Sequence, residues 1–296
     1  MSRGIPFAIK YGLRNLFIRD VIFTKCYARF KGVSIIANNW GDDINKYFFE
    51  FVSNKKMAVM PSNAELPFRI TYYSLIGSTL SHMNNCIIYG TGLMTESSKL
   101  HGRPKKIISV RGPLTRKALI SKGYSCPEHY GDPALLLPLF YKPDMTKKYN
   151  LSIIPNEGSY WKFNPVIEEL INEYGCNLIN MTKYEKWTDI IDAIAESKFI
   201  ISESLHGLIV AETYNIPSVW VEFTDHKNFN DDWGFKFRDF YESIGKYNMQ
   251  SIKLYEGFDF ESLIKLKELW QRGNINYETL LKYFPFEIKS KFFPSH

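Results

Sequence analysis

Three observations predict an α/β protein of two doubly wound domains. Short apolar, β-branched runs alternate with stretches of helical spacing, the pattern of parallel sheets built from βαβ units. A basic, polar segment carrying prolines breaks that alternation at residues 137–155. The 296 residues also exceed what one core ordinarily holds. The expected division is 1–145 and 146–296, with the last helical stretch packing back on the first domain. Hydrophobic residues make up 45% of the chain and charged residues 23%, enough apolar matter for sizeable cores and against disorder.

Taken in order, the chain opens on its charge excess. Arg3, Lys10, Arg14, Arg19, Lys25, Arg29 and Lys31 face only Asp20 before residue 32, and this segment accounts for the net charge of +6. The balanced remainder gives no support for a nucleic-acid groove, so no nucleic-acid partner is expected. Phe7, Ile9, Leu13, Leu16, Phe17, Val21, Ile22 and Phe23 are interleaved with the cations. The segment therefore reads either as a solvated basic face or as an amphipathic helix in peripheral contact with the inner membrane, where each cation adds up to about 1 kcal/mol. Cys26, Cys86, Cys126 and Cys176 form no C-x-x-C pair, which predicts neither a zinc knuckle nor a disulfide framework. With no signal-type apolar core and no run of about 18 apolar residues, a cytoplasmic protein is expected.

Strands are expected in "GVSIIANN", "CIIYGTG", "KIISVRGP", "LSIIPNEG", "CNLINMT", "KFIISES" and "PSVWVEF". Between them, "RGPLTRKALISKGY" reads as a helix with Pro113 in its first turn and Gly123 past its last. "NPVIEELINEYG" repeats that design, and "EKWTDIIDAIAES" places Ile190, Ile191, Ile194 and Ala195 at helical spacing. In "DDWGFKFRDFYES" the alternation of Phe235 and Phe237 suggests a strand face, leaving Trp233 as an aromatic surface for a ligand.

Ligands of doubly wound sheets bind outside the carboxyl ends of strands. In "SESLHGLIVAETYNIP", Ser204 can cap a helix whose first turn holds His206, Gly207 and Leu208. Such an end offers unpaired N–H groups and about half a positive charge, a seat for phosphate or carboxylate. A capping or core histidine is the competing reading. Arg111 holds the matching place after "KIISV", where a guanidinium can clamp an anion with two parallel hydrogen bonds. Asp132 in "GDPALLLP" marks a turn.

The pairing of "SVRGPLTRKALISKGY…YGDPALLLP" with "ISESLHGLIVAETYNIPSVWV" resembles the polysaccharide pyruvyl transferases. "NNWGDDINKYF", the glycine loop "YGTGLM" and "FKFRDFYESIG" agree and follow in order. The resemblance implies two facing Rossmann-like domains, GT-B-like, and transfer of pyruvate from phosphoenolpyruvate to a sugar of an exopolysaccharide, capsule or lipopolysaccharide repeat unit as a cyclic ketal. It implies catalytic roles for His206 and Arg111. Substrate contacts are expected from Gly207, Leu208, Lys227, Gly90, Thr91, Gly92, Asn39, Asp42 and Trp233. The partner is a sugar acceptor, lipid-linked or free, and the donor is the only cofactor-like molecule expected. Asp42 and Asp43 could hold a divalent ion, but adjacent loop acids more often cap helices, and no metal is expected. Two departures from the family pattern stand out: Asn156 where a histidine is frequent, and Glu203 near a frequent serine or arginine. A nucleotide-sugar glycosyltransferase of the GT-B kind and a catalytically silent carbohydrate-binding member remain the alternatives.

Overall fold

The computed structural model describes residues 21–31, 34–37, 39–65, 70–156, 164–223 and 233–293. They fall into two compact units, Met1–Pro133 with Asn276–His296, and Ala134–Ile275.

The first unit runs β1 (Val21–Cys26), β2 (Ala28–Lys31), β3 (Ser34–Ala37), α1 (Trp40–Val52), β4 (Lys56–Pro61), β5 (Tyr72–Ser74), β6 (Cys86–Tyr89), β7 (Lys106–Ser109) and α2 (Pro113–Ser121). Five of these strands form a parallel sheet in the order β4-β1-β5-β6-β7. β1 is buried along nearly its whole length, which is why "VIFTKC" lacks strand alternation: a central parallel strand is covered on both faces. Val21, Phe23 and Lys25, counted above with a membrane-facing helix, thus belong to the core, with Ile22 half-buried in the same strand; Lys25 donates to the His82 carbonyl at 3.3 Å and lies over the Tyr72 ring. Arg29 and Lys31 lie in the strand β2, and the rest of that expectation concerns residues 1–20, which lie outside the described residues. The run around Ile35 and Ile36 also departs from expectation, since β3 pairs antiparallel with β2 and is not part of the parallel sheet. α1 places Trp40, Ile44, Phe48, Phe49 and Val52 on one buried face and is capped by Asn39, whose Oδ1 accepts from the Gly41 amide at 2.8 Å.

The chain passes to the second unit after Pro133, earlier than residue 145. Residues 133–136 coil as a 3₁₀ turn into α3 (Leu137–Phe140). Leu135, Leu136, Leu137 and Phe140 are buried, and the Leu135 carbonyl accepts from the Thr213 hydroxyl at 2.7 Å. Burial of these four side chains thus outweighs the break signalled by Pro138 and Pro143.

The second unit continues with β8 (Ser152–Ile154), α4 (Pro165–Asn172), β9 (Asn177–Leu178), α5 (Asp189–Ala195), β10 (Ile200–Ser202), α6 (Leu205–Thr213), β11 (Ser218–Glu222), α7 (Phe235–Ser243), β12 (Ile252–Lys253) and α8 (Phe260–Leu269). Its five strands are parallel in the order β12-β11-β10-β8-β9. α4 covers one face with Val166, Ile167 and Leu170 against Ile153 and Ile201. α7 corrects the strand reading of Phe235 and Phe237. Both rings are buried in a helix, Phe237 stacked on Trp220 at 4.4 Å.

α9 (Tyr277–Lys282) and the residues after it belong to the first unit. The Tyr89 hydroxyl donates to the Leu280 carbonyl at 2.7 Å, and Phe284 stacks on Phe49. Counted within each unit, both sheets have the strand order 2-1-3-4-5. That order reverses direction at one point, between β1 and β5 in the first sheet and between β8 and β10 in the second, and ligands bind at such a switch point.

Candidate active site

At the switch point of the second sheet, β8 ends at Ile154 and β10 at Ser202. Ser204 takes an extended backbone, φ −98° and ψ 125°, and caps α6 through its hydroxyl, which accepts from the Gly207 amide at 3.5 Å. The Leu208 amide donates to the Ser204 carbonyl at 3.2 Å. Those two amides, expected to hold an anion, are therefore used within the helix cap. Gly207 is also not an opening for a ligand: a Cβ there would lie 2.7 Å from Ser202 Oγ and 2.8 Å from Ile154 Cδ1. The glycine lets the helix start close against two strands, one of the roles glycine has in nucleotide-binding turns. Leu208 is fully buried as a core side chain.

His206 sits at the second position of α6, half-buried, with Nε2 shielded from solvent. Beside it stands a residue noted above only as a departure from the family pattern. Glu203 is 3% exposed, and its amide donates to the Ile154 carbonyl at 2.8 Å. Its Oε2 accepts from the Asn156 amide and its Oε1 from the Phe223 amide, each at 3.2 Å. One carboxylate thus ties the ends of β8, β10 and β11 together, with backbone donors in place of water. Its signal in the sequence is an acid between a buried strand and a capping serine. Only the strand order reveals what it reaches.

Asn164 works at the same edge, capping α4 while its amide donates to the Phe223 carbonyl at 2.8 Å. Lys227 lies outside the described residues. Trp233 is half-buried at the start of α7, with the Lys236 ammonium 4.3 Å from its ring centroid, so a cation already covers one ring face.

The first unit builds its switch point differently. Arg111, expected as a direct anion clamp, has 0% exposure. Its Nη1 donates to Ser78 Oγ at 2.8 Å and its Nη2 to the Leu93 carbonyl at 2.6 Å. The guanidinium binds the loops after β5 and β6 to each other. The glycine loop serves the same packing. A Cβ on Gly92 would fall 2.5 Å from the guanidinium, and one on Gly90, where φ is +80°, would fall 2.3 Å from Pro133 Cδ. Thr91 is buried and donates to the Gly77 carbonyl at 2.9 Å. Gly90, Thr91 and Gly92 are therefore placed as supports of the crevice, without an exposed side chain to touch substrate.

Tyr27 and Asp42 complete this edge. Tyr27, directly after β1, donates its hydroxyl to the Ser78 carbonyl at 3.2 Å, and its amide donates to Asp42 Oδ1 at 2.9 Å. Burial and the Asp42 carboxylate raise the Tyr27 phenol above its ordinary pKa, offset in part by Arg111. Burial, then Asp42 and Asp43, push the Cys26 thiol well above its usual range. Asn39 and Asp42 are thus placed as cap and loop anchor. Asp132, just before the 3₁₀ turn that begins at Pro133, is fully buried. Among the described residues no group of three His, Cys, Asp or Glu side chains is arranged to hold a metal ion.

This pair of strand-end sites, one around His206 and one around Arg111, coincides with a sequence match. The profile of the polysaccharide pyruvyl transferase family aligns with residues 7–225. The chain is a member of that family. It is similar to the succinoglycan biosynthesis protein ExoV of Rhizobium meliloti, with 28% identity over 223 residues, 70% of this chain and 62% of that protein. It is also similar to an uncharacterized protein, L143, of Acanthamoeba polyphaga mimivirus, with 29% identity over 217 residues, 70% of this chain and 71% of that protein. The match to the rhizobial relative therefore spans less than two thirds of that relative's length. Among the described residues, this pyruvyl transferase family member has no helix long and apolar enough to cross a membrane.

Proposed function

We propose that the protein transfers pyruvate from phosphoenolpyruvate to a sugar of a polysaccharide repeat unit, forming a cyclic ketal and releasing phosphate. Carbon 2 of the donor becomes electrophilic only when its methylene carbon gains a proton. One sugar hydroxyl then adds to carbon 2, phosphate leaves, and a second hydroxyl closes the ring. Two O–H protons are given up, one replacing the proton delivered to the methyl group and the other leaving with phosphate; two C–O bonds form as the carbon–carbon π bond and the C–O bond to phosphate break. His206 supplies the acid and then the base, a task imidazole performs near neutral pH.

The observation that carries this reading is the place of His206, in the first turn of α6 at the switch point of the second sheet. Family membership supports the chemistry. The N-terminal end of α6 favours an anionic donor there, through the positive end of the helix dipole. Arg111 adds fixed positive charge behind Ser78 in the first unit. Lys227, a GT-B-like class, a lipid-linked acceptor and a cytoplasmic location belong to the same proposal.

The test is to incubate purified protein with phosphoenolpyruvate and a panel of lipid-linked and nitrophenyl glycosides. Phosphate release together with a glycoside mass gain of one ketal-linked pyruvate is expected. Consumption of a nucleotide-sugar in its place would assign the protein to the glycosyltransferases instead.

A further inference from the structure

Among the described residues, Tyr27 stands directly at the switch point of the first sheet with its hydroxyl enclosed and the residue as a whole part-exposed. It follows the last residue of β1, and Ser78 follows β5, the two strands that flank the reversal. Its amide is tied to buried Asp42 and its hydroxyl to the Ser78 carbonyl, so both ends of the residue are fixed. Ser78 is in turn held by the buried guanidinium of Arg111. Yet Tyr27 is 45% exposed, while Cys26 before it and Asp42 beneath it are buried. An aromatic ring held at both ends and left open to water needs a reason at a position where parallel sheets bind ligands.

We propose that Tyr27 is the platform on which the acceptor, a neutral hexopyranose ring, stacks in the first unit; this deepens the pyruvyl transfer reading and rests on it for the word acceptor alone. The chemistry follows from the surroundings. A pyranose offers an apolar C–H face to a ring and a rim of hydroxyls to polar neighbours, and a preorganised tyrosine gives contact area at small entropic cost. The other planar occupant would be a nucleotide base, but nucleotides bring phosphates. The Arg111 guanidinium at this edge is fully buried and donates to Ser78 Oγ and the Leu93 carbonyl, so it offers a phosphate beside the ring no direct contact.

The experiment uses the full chain and titrates neutral methyl and nitrophenyl glucosides, galactosides and mannosides by saturation-transfer NMR, with uridine monophosphate as the nucleotide probe. Tyr27→Ala and Tyr27→Leu are compared with Tyr27→Phe, and unfolding midpoints establish that each variant is folded. Loss of the ring is expected to weaken glycoside binding by about tenfold, with Tyr27→Phe within about twofold of wild type. In turnover assays the acceptor KM is expected to rise for the alanine and leucine variants, with the phosphoenolpyruvate KM unchanged. Equal glycoside affinity in folded Tyr27→Leu overturns the proposal. So does a wild-type protein that none of the glycosides saturates, or a loss confined to uridine monophosphate. Tyrosine-dependent glycoside binding without any phosphate release from phosphoenolpyruvate would uphold the platform while removing the pyruvyl transfer reading.

Discussion

A carboxylate as deeply buried as Glu203 is stable only where donors replace the water it has lost, and its two oxygens each accept one backbone amide, from Asn156 and from Phe223. The side chain thereby sets the spacing of three strand ends beside His206. In Glu203→Gln the amide has one acceptor oxygen, so one backbone N–H would face an NH₂ group. The expected loss is about 1–3 kcal/mol of folding stability, read from urea unfolding, because a buried donor left unsatisfied costs its desolvation. His206 makes the contrasting case. Half-buried and outside the strand ladder, it should be removable without loss of fold. His206→Ala is expected to lower turnover by about two to four orders of magnitude, the usual contribution of a positioned acid or base, with an unchanged unfolding midpoint. A parallel fall in midpoint and activity would reassign the histidine to the core.

At the scale of elements, glycine shows how packing sets local chemistry. Alanine is favoured over glycine within a helix by about 1 kcal/mol, so Gly207→Ala would stabilise an unencumbered α6. Here the new methyl would meet Ser202 Oγ and Ile154 Cδ1 below 3 Å, and Ser202 Oγ is itself bound to the Ser204 amide at 3.0 Å. Overpacking of this kind costs about 1–3 kcal/mol, so a net fall in stability is expected by thermal unfolding. A rise would show that α6 has room to move. The same packing explains what could be read from the sequence. Strands β6, β7, β8, β10 and β11 and helices α2, α4 and α5 were legible because apolar runs bounded by glycine and proline announce them. β1 was not, because a central strand with Thr24 and Lys25 inside shows neither alternation nor a pure apolar run. α7 was misread because Phe235, Phe237, Asp239, Phe240 and Tyr241 are all buried, which erases the helical period. Arg111 and His206 were visible as turn residues after strands. Tyr27, Ser78 and Glu203 were not, since their importance depends on which strands are neighbours, and strand order is written in no local motif.

Across the whole molecule, the two sheets share one strand order, but the first unit is completed only by residues that follow the second in the chain. The returning segment does specific work. Phe284 stacks on Phe49 at 5.7 Å, and Phe286 meets the Phe49 ring edge-on at 5.8 Å and the Tyr73 ring at 5.0 Å. Ile288 bridges to Ser53, and the Lys289 amide donates to the Val52 carbonyl at 2.9 Å, closing the end of α1. Tyr283 stacks on His129 at 4.0 Å, and Leu280 lies against Gly131, where a Cβ would come within 2.9 Å. Deleting residues 276–296 would uncover Phe49 and leave the Tyr89 hydroxyl without the Leu280 carbonyl. Each large aromatic removed from a core costs about 3–5 kcal/mol, and a domain has only about 5–15 kcal/mol in all. The truncated chain is therefore expected to lose hydrogen-exchange protection across α1, β1 and β4, while β8, β10 and β11 keep theirs. The comparison removes no residue of the second sheet, so protection that falls equally in both sheets would mean that the two units unfold as one. Full protection in both would mean that the first core is complete without its returning segment.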